Sequence, residues 1–508
     1  MTGLMGAMDN VNSAGSTYTI LGDGRTLAVF EIEANQPSRP FNLDVTGMNQ
    51  IEIRIGNPRF GVANLVLSGQ GTVRNARPQP VTSQLATQLG RSAELPARTT
   101  QHLQNVLGRD IEPFRLTSMA EFTPGQPGMM MGAEYTSGFA STGWNASVFF
   151  NLDGRYASMT GLKGAMDNVN SDSSTFTILG DGRTIETFNV EANQPASQFN
   201  VNVSGISQIE IRISHPRFGL ANVALATQGV AQTAFNPPLG IFNSAVTLGK
   251  EIEAFRLNSM TSFTPGQPGM IMGAEYEFGF ASTGWNASAF FNLDGRYVSM
   301  AGLLGAMDNV NTASSTITIL GDGRTLEIIE VEANQPARHF ALGVIGISQL
   351  EIRIGNPRFG VANINLVSQG TARTEFNTPL GTFGSSVTLG NEIVAFRLSS
   401  MNAFTPGQPG RMMGAEHIHG FASTGWNASA FFNLDGRYTS MTCLLGAMDN
   451  VNTADSTFTI LGDGRILETI EIQRHDPARQ FTVNVAGVRQ LEIRISNPRY
   501  GVANITLR

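Results

Sequence analysis

The sequence predicts an all-β protein of tandem antiparallel β-sandwich (jelly-roll) domains, three complete and one N-terminal half-domain. Three observations lead there. Short stretches alternate apolar and polar residues with period two, as in QIEIRI at 208–213, the signature of a strand with one buried face. Turn dipeptides separate these stretches: Asp153-Gly154 and Asp181-Gly182 each supply the positive φ a tight hairpin needs. The whole pattern then recurs. FASTGWNAS stands at 139–147, 280–288 and 421–429, and Trp144, Trp285 and Trp426, the three tryptophans of the chain, lie 141 residues apart.

Within one copy the elements follow in order. FRLTSM at 114–119 reads as a first strand, and Pro124 and Pro127 in TPGQPG mark a turn, since proline cannot donate to a ladder. ASVFFNL at 146–152 is a strand running into the NLDGRY turn. STFTILGDGRTIETFNV at 174–190 reads as strand, turn, strand. FNVNVSG at 199–205 and QIEIRIS at 208–214 close the copy, with Ile209, Ile211 and Ile213 expected in the core and Glu210 and Arg212 on a solvated face. No helical period interrupts this series, which suits a sandwich of some seven or eight strands.

The repeat unit runs over 114–225, 255–366 and 396–507, too long for a solenoid turn and right for one domain. LGDGR occurs a fourth time, at 21–25, because Met1-Thr2-Gly3-Leu4 aligns with Met159-Thr160-Gly161-Leu162. The first copy therefore lacks the counterpart of 114–158. That predicts either a fragment of a longer repeat protein or a half-domain completed by a second chain. The expected organisation is a partial sandwich at 1–70, a linker at 71–113, and sandwiches at 114–228, 255–369 and 396–508 with linkers at 229–254 and 370–395. Shared apolar positions in the linkers (Phe235, Leu239, Phe242, Val246, Leu248) predict that they dock rather than hang free. SQLATQLGRSAEL at 83–95 reads as a short helix.

Composition narrows the function. The net charge is −7 with no basic patch, which argues against nucleic acid as partner. Lys163 and Lys250 are the only lysines. A single cysteine, Cys443, in the place of Gly161 and Gly302, allows neither an intrachain disulfide framework nor a thiolate metal cluster. No apolar run is long enough to span a membrane as a helix, and MTGLMGAMDN lacks signal-peptide features. GDGR is a hairpin with no helix behind it, not a phosphate cradle, and no histidine recurs in every copy. No catalytic residues and no cofactor are expected.

One ordered set of motifs resembles a known family. Gly132-Ala133-Glu134-Tyr135-Thr136-Ser137-Gly138-Phe139 is followed by Leu152-Asp153-Gly154-Arg155-Tyr156, Gly164-Ala165-Met166-Asp167-Asn168, Gly180-Asp181-Gly182-Arg183, and Val201-Asn202-Val203-Ser204-Gly205 through Ile209-Glu210-Ile211. This order is similar to the NPCBM family, the novel putative carbohydrate-binding modules. The resemblance implies a galactose-binding-like jelly roll. The chain departs from the family at STGWNAS, where a His-Ala pair is usual, and at SHPRFGLANVAL, where an acidic, tryptophan-bearing ending is usual.

Candidate sites follow from residue chemistry. Sugars present C–H faces and hydroxyl rims, so a flat indole beside amide and charged groups suits them. Trp144, Asn145 and Arg155 offer this set, as do Trp285, Asn286, Arg296 and Trp426, Asn427, Arg437; the alternative is a tryptophan that seals the sandwich rim or a domain contact. Asp167, Asp308 and Asp449, each followed by Asn, are calcium candidates or simple turn closures. His417 and His419 on one strand face suggest a metal pair without a third ligand. Asn145-Ala146-Ser147 is a formal glycosylation acceptor. The expected function is a non-enzymatic, extracellular or cell-surface protein that adheres to glycans by avidity. The alternatives are a structural filament subunit, a homopolymer of neighbouring copies whose linkers pack across modules, and the accessory binding region of a glycoside hydrolase.

Overall fold

The computed structural model describes residues 1–7, 15–33, 38–46, 48, 50–57, 59–67 and 104–508. The helix expected at 83–95 lies outside them. The chain divides into two compact units, Met1–Pro237 and Pro238–Arg508. Every described regular element is a β-strand, and the strand ladders are antiparallel.

The complete module of the first unit is a two-sheet sandwich. One sheet has the order Ser197–Asn202, Ser158–Ala165, Phe218–Ala226, Gly138–Ser141, Met119–Phe122, with Gln104–Val106 added beside Phe218–Ala226. The other runs Arg183–Glu191, Ser173–Gly180, Gln208–Ile213, Ala146–Asn151, Arg115–Thr117. Neighbours in a sheet are mostly not neighbours in sequence, as in a jelly roll. A small hairpin, Gly128–Met130 with Ala133–Tyr135, lies outside both sheets. The core between the sheets takes the inward residues of both: Phe139, Phe150, Phe176, Phe218 and the three isoleucines of QIEIRI are buried. The Asp-Gly turns form as expected, with φ of 45° and 78° at Asp181 and Gly182 and 52° and 66° at Asp153 and Gly154.

The second unit contains the same arrangement twice. Linker residues are part of each module, but not all those expected to dock do so: Val246 and Leu248 are buried, whereas Phe235 and Leu239 are about half exposed. Ala245–Thr247 pairs with Phe359–Val367, and Val387–Thr388 with Tyr500–Leu507, so Leu248 and Leu389 are fully buried. The two modules of this unit meet through a polar and apolar joint. Asn433 Nδ2 donates to Met272 O at 2.8 Å, Gln490 Nε2 to Asn334 O at 2.9 Å, and Arg397 Nη1 to Ala333 O at 3.0 Å. Gly273 has φ +70° and a Cβ there would meet Phe396 at 3.1 Å, so a side chain at this position would wedge the joint.

One expectation is corrected. The carboxylate of Glu210 is not solvated: Glu210 is 6% exposed, and Glu351 and Glu492 are as deeply buried. The edge strand Arg115–Thr117 pairs with Ala146–Asn151 and carries an arginine over that outer face, with the Arg115 guanidinium 3.5 Å from the Phe149 ring centroid. Phe149 lies opposite Glu210 in the ladder, and Arg212 Nε bonds Glu210 Oε1 at 2.7 Å. The guanidinium of Arg212 donates to both carboxylate oxygens, from Nε at 2.7 Å and from Nη2 at 3.0 Å, in place of the water that leaves. In the half-module, where among the described residues no such edge strand is seen, the equivalent Glu52 is exposed, as period two predicts.

The half-module itself holds two three-stranded sheets. Their orders are Arg39–Asn42, Thr2–Ala7, Phe60–Val66 and Arg25–Glu33, Gly15–Gly22, Ile51–Ile55. Met5, Tyr18, Ile20, Ile32 and Phe41 form a small core between them.

Candidate functional site

Each tryptophan sits at the tip of the turn that carries the chain from one sheet to the other, between Gly138–Ser141 and Ala146–Asn151 in the first complete module. The turn is held by backbone bonds at both ends: Thr142 N donates to Ser118 O at 2.9 Å and Asn145 N to Ser214 O at 3.0 Å. Its shape requires a left-handed residue, and Asn145, Asn286 and Asn427 have φ of 51°, 49° and 50°. Asparagine tolerates this region better than most residues. The indoles are left outside: Trp144, Trp285 and Trp426 are 65%, 66% and 65% exposed. They neither seal the rim nor enter the joint of the second unit.

Two further loops flank this turn. Residues 214–217 bring His215 to a ring-centroid distance of 4.5 Å from Trp144; Asn356 and Asn497 hold the corresponding positions in the other modules. Arg217, with φ 64°, donates from Nη1 to Asn168 O at 2.7 Å and so ties this loop to the Asp-Asn turn. Arg358 and Arg499 repeat the bond at 3.0 Å and 2.9 Å. The sequence marked the SHPRF stretch only as a departure from the family; its left-handed arginine was not readable from residue type.

The structure separates the proposed residues. Trp144, Asn145 and Asp167 share one end of the sandwich. Arg155 lies beyond the other end of Ala146–Asn151, a strand about 20 Å long at ~3.3 Å per residue. Arg155 pairs there with Asp153, Arg296 with Asp294 at 2.8 Å, and Arg437 with Asp435 at 2.9 Å. Arg296 and Arg437 also lie over the linker rings of Phe242 and Phe383, at 4.9 Å and 4.8 Å. Their visible work is to clamp the linker.

The Asp-Asn turns close on the protein's own backbone. Asp167 accepts from Gly132 N at 3.0 Å, Asp308 from Gly273 N at 2.9 Å, and Asp449 from Gly414 N at 2.7 Å. Burial pushes the Asp308 carboxyl up to about 6, against the Gly273 amide and the Arg397 guanidinium, which favour the charged form. A cleft of about 420 Å³ opens beside it, lined by Thr261, Phe263, Gln267, Pro268, Met307 and Asp308. It presents amide and carboxylate groups at the end of the module that carries Trp285. His417 ends the strand Ala415–His417, with Nδ1 3.4 Å from Asn504 Nδ2, and His419 lies past that strand. Among the described residues no group of three or more His, Cys, Asp or Glu side chains converges as for a metal.

Comparison with known proteins places these modules. No curated protein matches the chain. Solved structures similar to it include the tandem CBM51 modules of Sp3GH98, the family 98 glycoside hydrolase of Streptococcus pneumoniae. That match is 14% identical, covers 50% of this chain and 92% of that one, and has a TM-score of 0.20. A CBM51 from Clostridium perfringens GH95, in complex with methyl-galactose, is 12% identical over 24% of this chain and 99% of that one, with a TM-score of 0.22. Likeness this weak transfers no ligand from one chain to another. The NPCBM/NEW2 domain model matches residues 101–220 and 385–504. These two regions are NPCBM/NEW2 domains, and residues 255–366 between them repeat the same strand order, so the chain carries tandem modules of the carbohydrate-binding-like kind.

Proposed function

We propose that the protein is a non-enzymatic, extracellular adhesin-like chain whose modules bind glycans through Trp144, Trp285 and Trp426. The observation that carries this reading is the repetition of one exposed indole, on one backbone-locked turn, at the same place in three modules. An exposed tryptophan contributes little to folding, so a built turn that keeps it in solvent points to a ligand. The turn is fixed before any ligand arrives, which spares binding the cost of ordering a loop. Neighbouring hydrogen-bonding groups come from Asn145 and the 214–217 loop, with His215 in one module and Asn356 and Asn497 in the others. Three weak sites on one chain raise the effective concentration of each for a multivalent surface.

The test is a glycan array probed with the full chain and with Trp144→Ala, Trp285→Ala and Trp426→Ala, singly and together. Each single substitution should weaken retention on dense glycan surfaces, and the triple variant should lose it. Binding that survives in the triple variant would move the site elsewhere. An array without a hit would remove the lectin function and leave the structural reading, which the module joint of the second unit favours.

A further inference from the structure

The chain that leaves the first complete module is strapped back onto it. Ala231 N donates to Ser158 Oγ at 2.8 Å, Thr233 Oγ1 to Asn222 O at 2.8 Å, and Asn236 Nδ2 to Glu134 O at 2.6 Å. Asn222 holds φ 48° inside the strand Phe218–Ala226, where the ladder with Ser158–Ala165 shifts its register. Such a bulge re-aims a side chain. Here the Asn222 amide reaches the strap, with Nδ2 donating to Ala234 O at 3.0 Å and to Asn236 Oδ1 at 3.1 Å. Between the strap, the strand Gln104–Val106 and the turn after Phe122, a cleft of about 380 Å³ stays open. That is the size of a small-molecule site with walls already in place. It lies at the Ser137 end of Gly138–Ser141, across about 13 Å of strand from the turn that carries Trp144.

We propose that this cleft is a second saccharide site, separate from the tryptophans and particular to the first complete module, which holds one neutral sugar unit by its hydroxyl rim. The repeats show why it belongs to one module. Ser137, whose hydroxyl donates to Leu107 O at 3.0 Å, stands where the second complete module has Phe278 and the third has His419. The Phe278 ring lies 5.6 Å from Lys250 Nζ, so these two side chains reach towards each other across the corresponding space. Gln232 likewise stands where the second complete module has Arg373. The lining sets the ligand class. Among the described residues Arg109 is the one charged side chain that lines the cleft, and Asp110 already takes it in a fork, Nε to Oδ1 at 3.2 Å and Nη2 to Oδ2 at 2.8 Å. A charged ligand therefore gains little. Phe122 is 4% exposed and offers no ring face for stacking. What remains is hydroxyl and amide: exposed Thr136 and Gln232, and Asn222 Oδ1, to which no described residue donates. Donors and acceptors mixed in this way match hydroxyls, which do both.

The test takes the full chain carrying Trp144→Ala, Trp285→Ala and Trp426→Ala, so that the tryptophan platforms play no part. The probes are the methyl glycosides of galactose, glucose and N-acetylglucosamine, followed by saturation-transfer difference NMR. One weak site per chain is lost in the washes of an array, because nothing multiplies it, but it is visible at equilibrium. Transfer to at least one probe is expected. Adding Ser137→Phe, which gives the position the residue of the second complete module, should cut that transfer at least tenfold. Gln232→Arg, at an exposed side chain, should do the same with an unchanged melting curve. The proposal is overturned if the triple variant transfers to none of the three probes, or if either added substitution leaves the transfer undiminished. Comparing the parent with the triple variant judges the tryptophans separately, so either site can fail alone.

Discussion

At the scale of single residues, the three tryptophans of the proposed sites allow binding to be separated from stability. Their exposure predicts that each Trp→Ala variant keeps its melting temperature, within about 0.5 kcal/mol of stability. The residue after each carries the opposite burden. Asn145 holds φ 51°, so Asn145→Val should cost about 1–2 kcal/mol in thermal denaturation, whereas Asn145→Gly should be near neutral. Cys443 is buried, and burial pushes its thiol up to about 12. It should resist alkylation in the native chain and react once denaturant opens the module. Residue type showed that the tryptophan stands in a polar setting. It did not show that Arg155 faces the other end of the strand, because two turns at opposite ends of Ala146–Asn151 look alike as neighbours in sequence.

At the scale of elements, the same hexapeptide pattern gives two outcomes. QIEIRI and its copies are legible as strands because their alternation is local, and the Asp-Gly hairpins because their φ demands are local. The burial of Glu210 was not legible, since it depends on Arg115–Thr117 arriving from a distant part of the chain and laying an arginine over the outer face. Glu351→Ala should therefore cost about 1–3 kcal/mol, leaving Arg353 without its buried carboxylate partner. Glu52→Ala in the half-module should be close to neutral, because its pair with Arg54 is exposed. Hydrogen exchange should show the same contrast. Amides of Ile51–Ile55 and Phe60–Val66 should exchange much faster than those of Gln208–Ile213 and Phe218–Ala226.

At the scale of the whole molecule, repetition was the clearest signal in the sequence, and linkers that belong to the modules are what the structure adds. The module joint of the second unit makes a pH prediction. Folded Asp308 titrates near 6, above its unfolded value of 3.8, so the folded unit takes up a proton in that window. Asp308 thus weakens the unit at pH 7 and ceases to as the pH falls through 6 towards 3.8. Asp308→Asn should raise the melting temperature at pH 7, by the equivalent of about 1–3 kcal/mol, and the gap to the parent should narrow as the pH falls below 6 and close only as it nears 3.8. The proposed function rests at this scale on three equivalent platforms, and the composition supplies their probe, because Trp144, Trp285 and Trp426 are the only tryptophans. Titrating the full chain with a glycan retained on the array, while following intrinsic tryptophan fluorescence, tests the claim directly. A saturable change in emission that falls by about a third with each Trp→Ala substitution is the predicted result. Glycan binding that leaves the emission unchanged would contradict it.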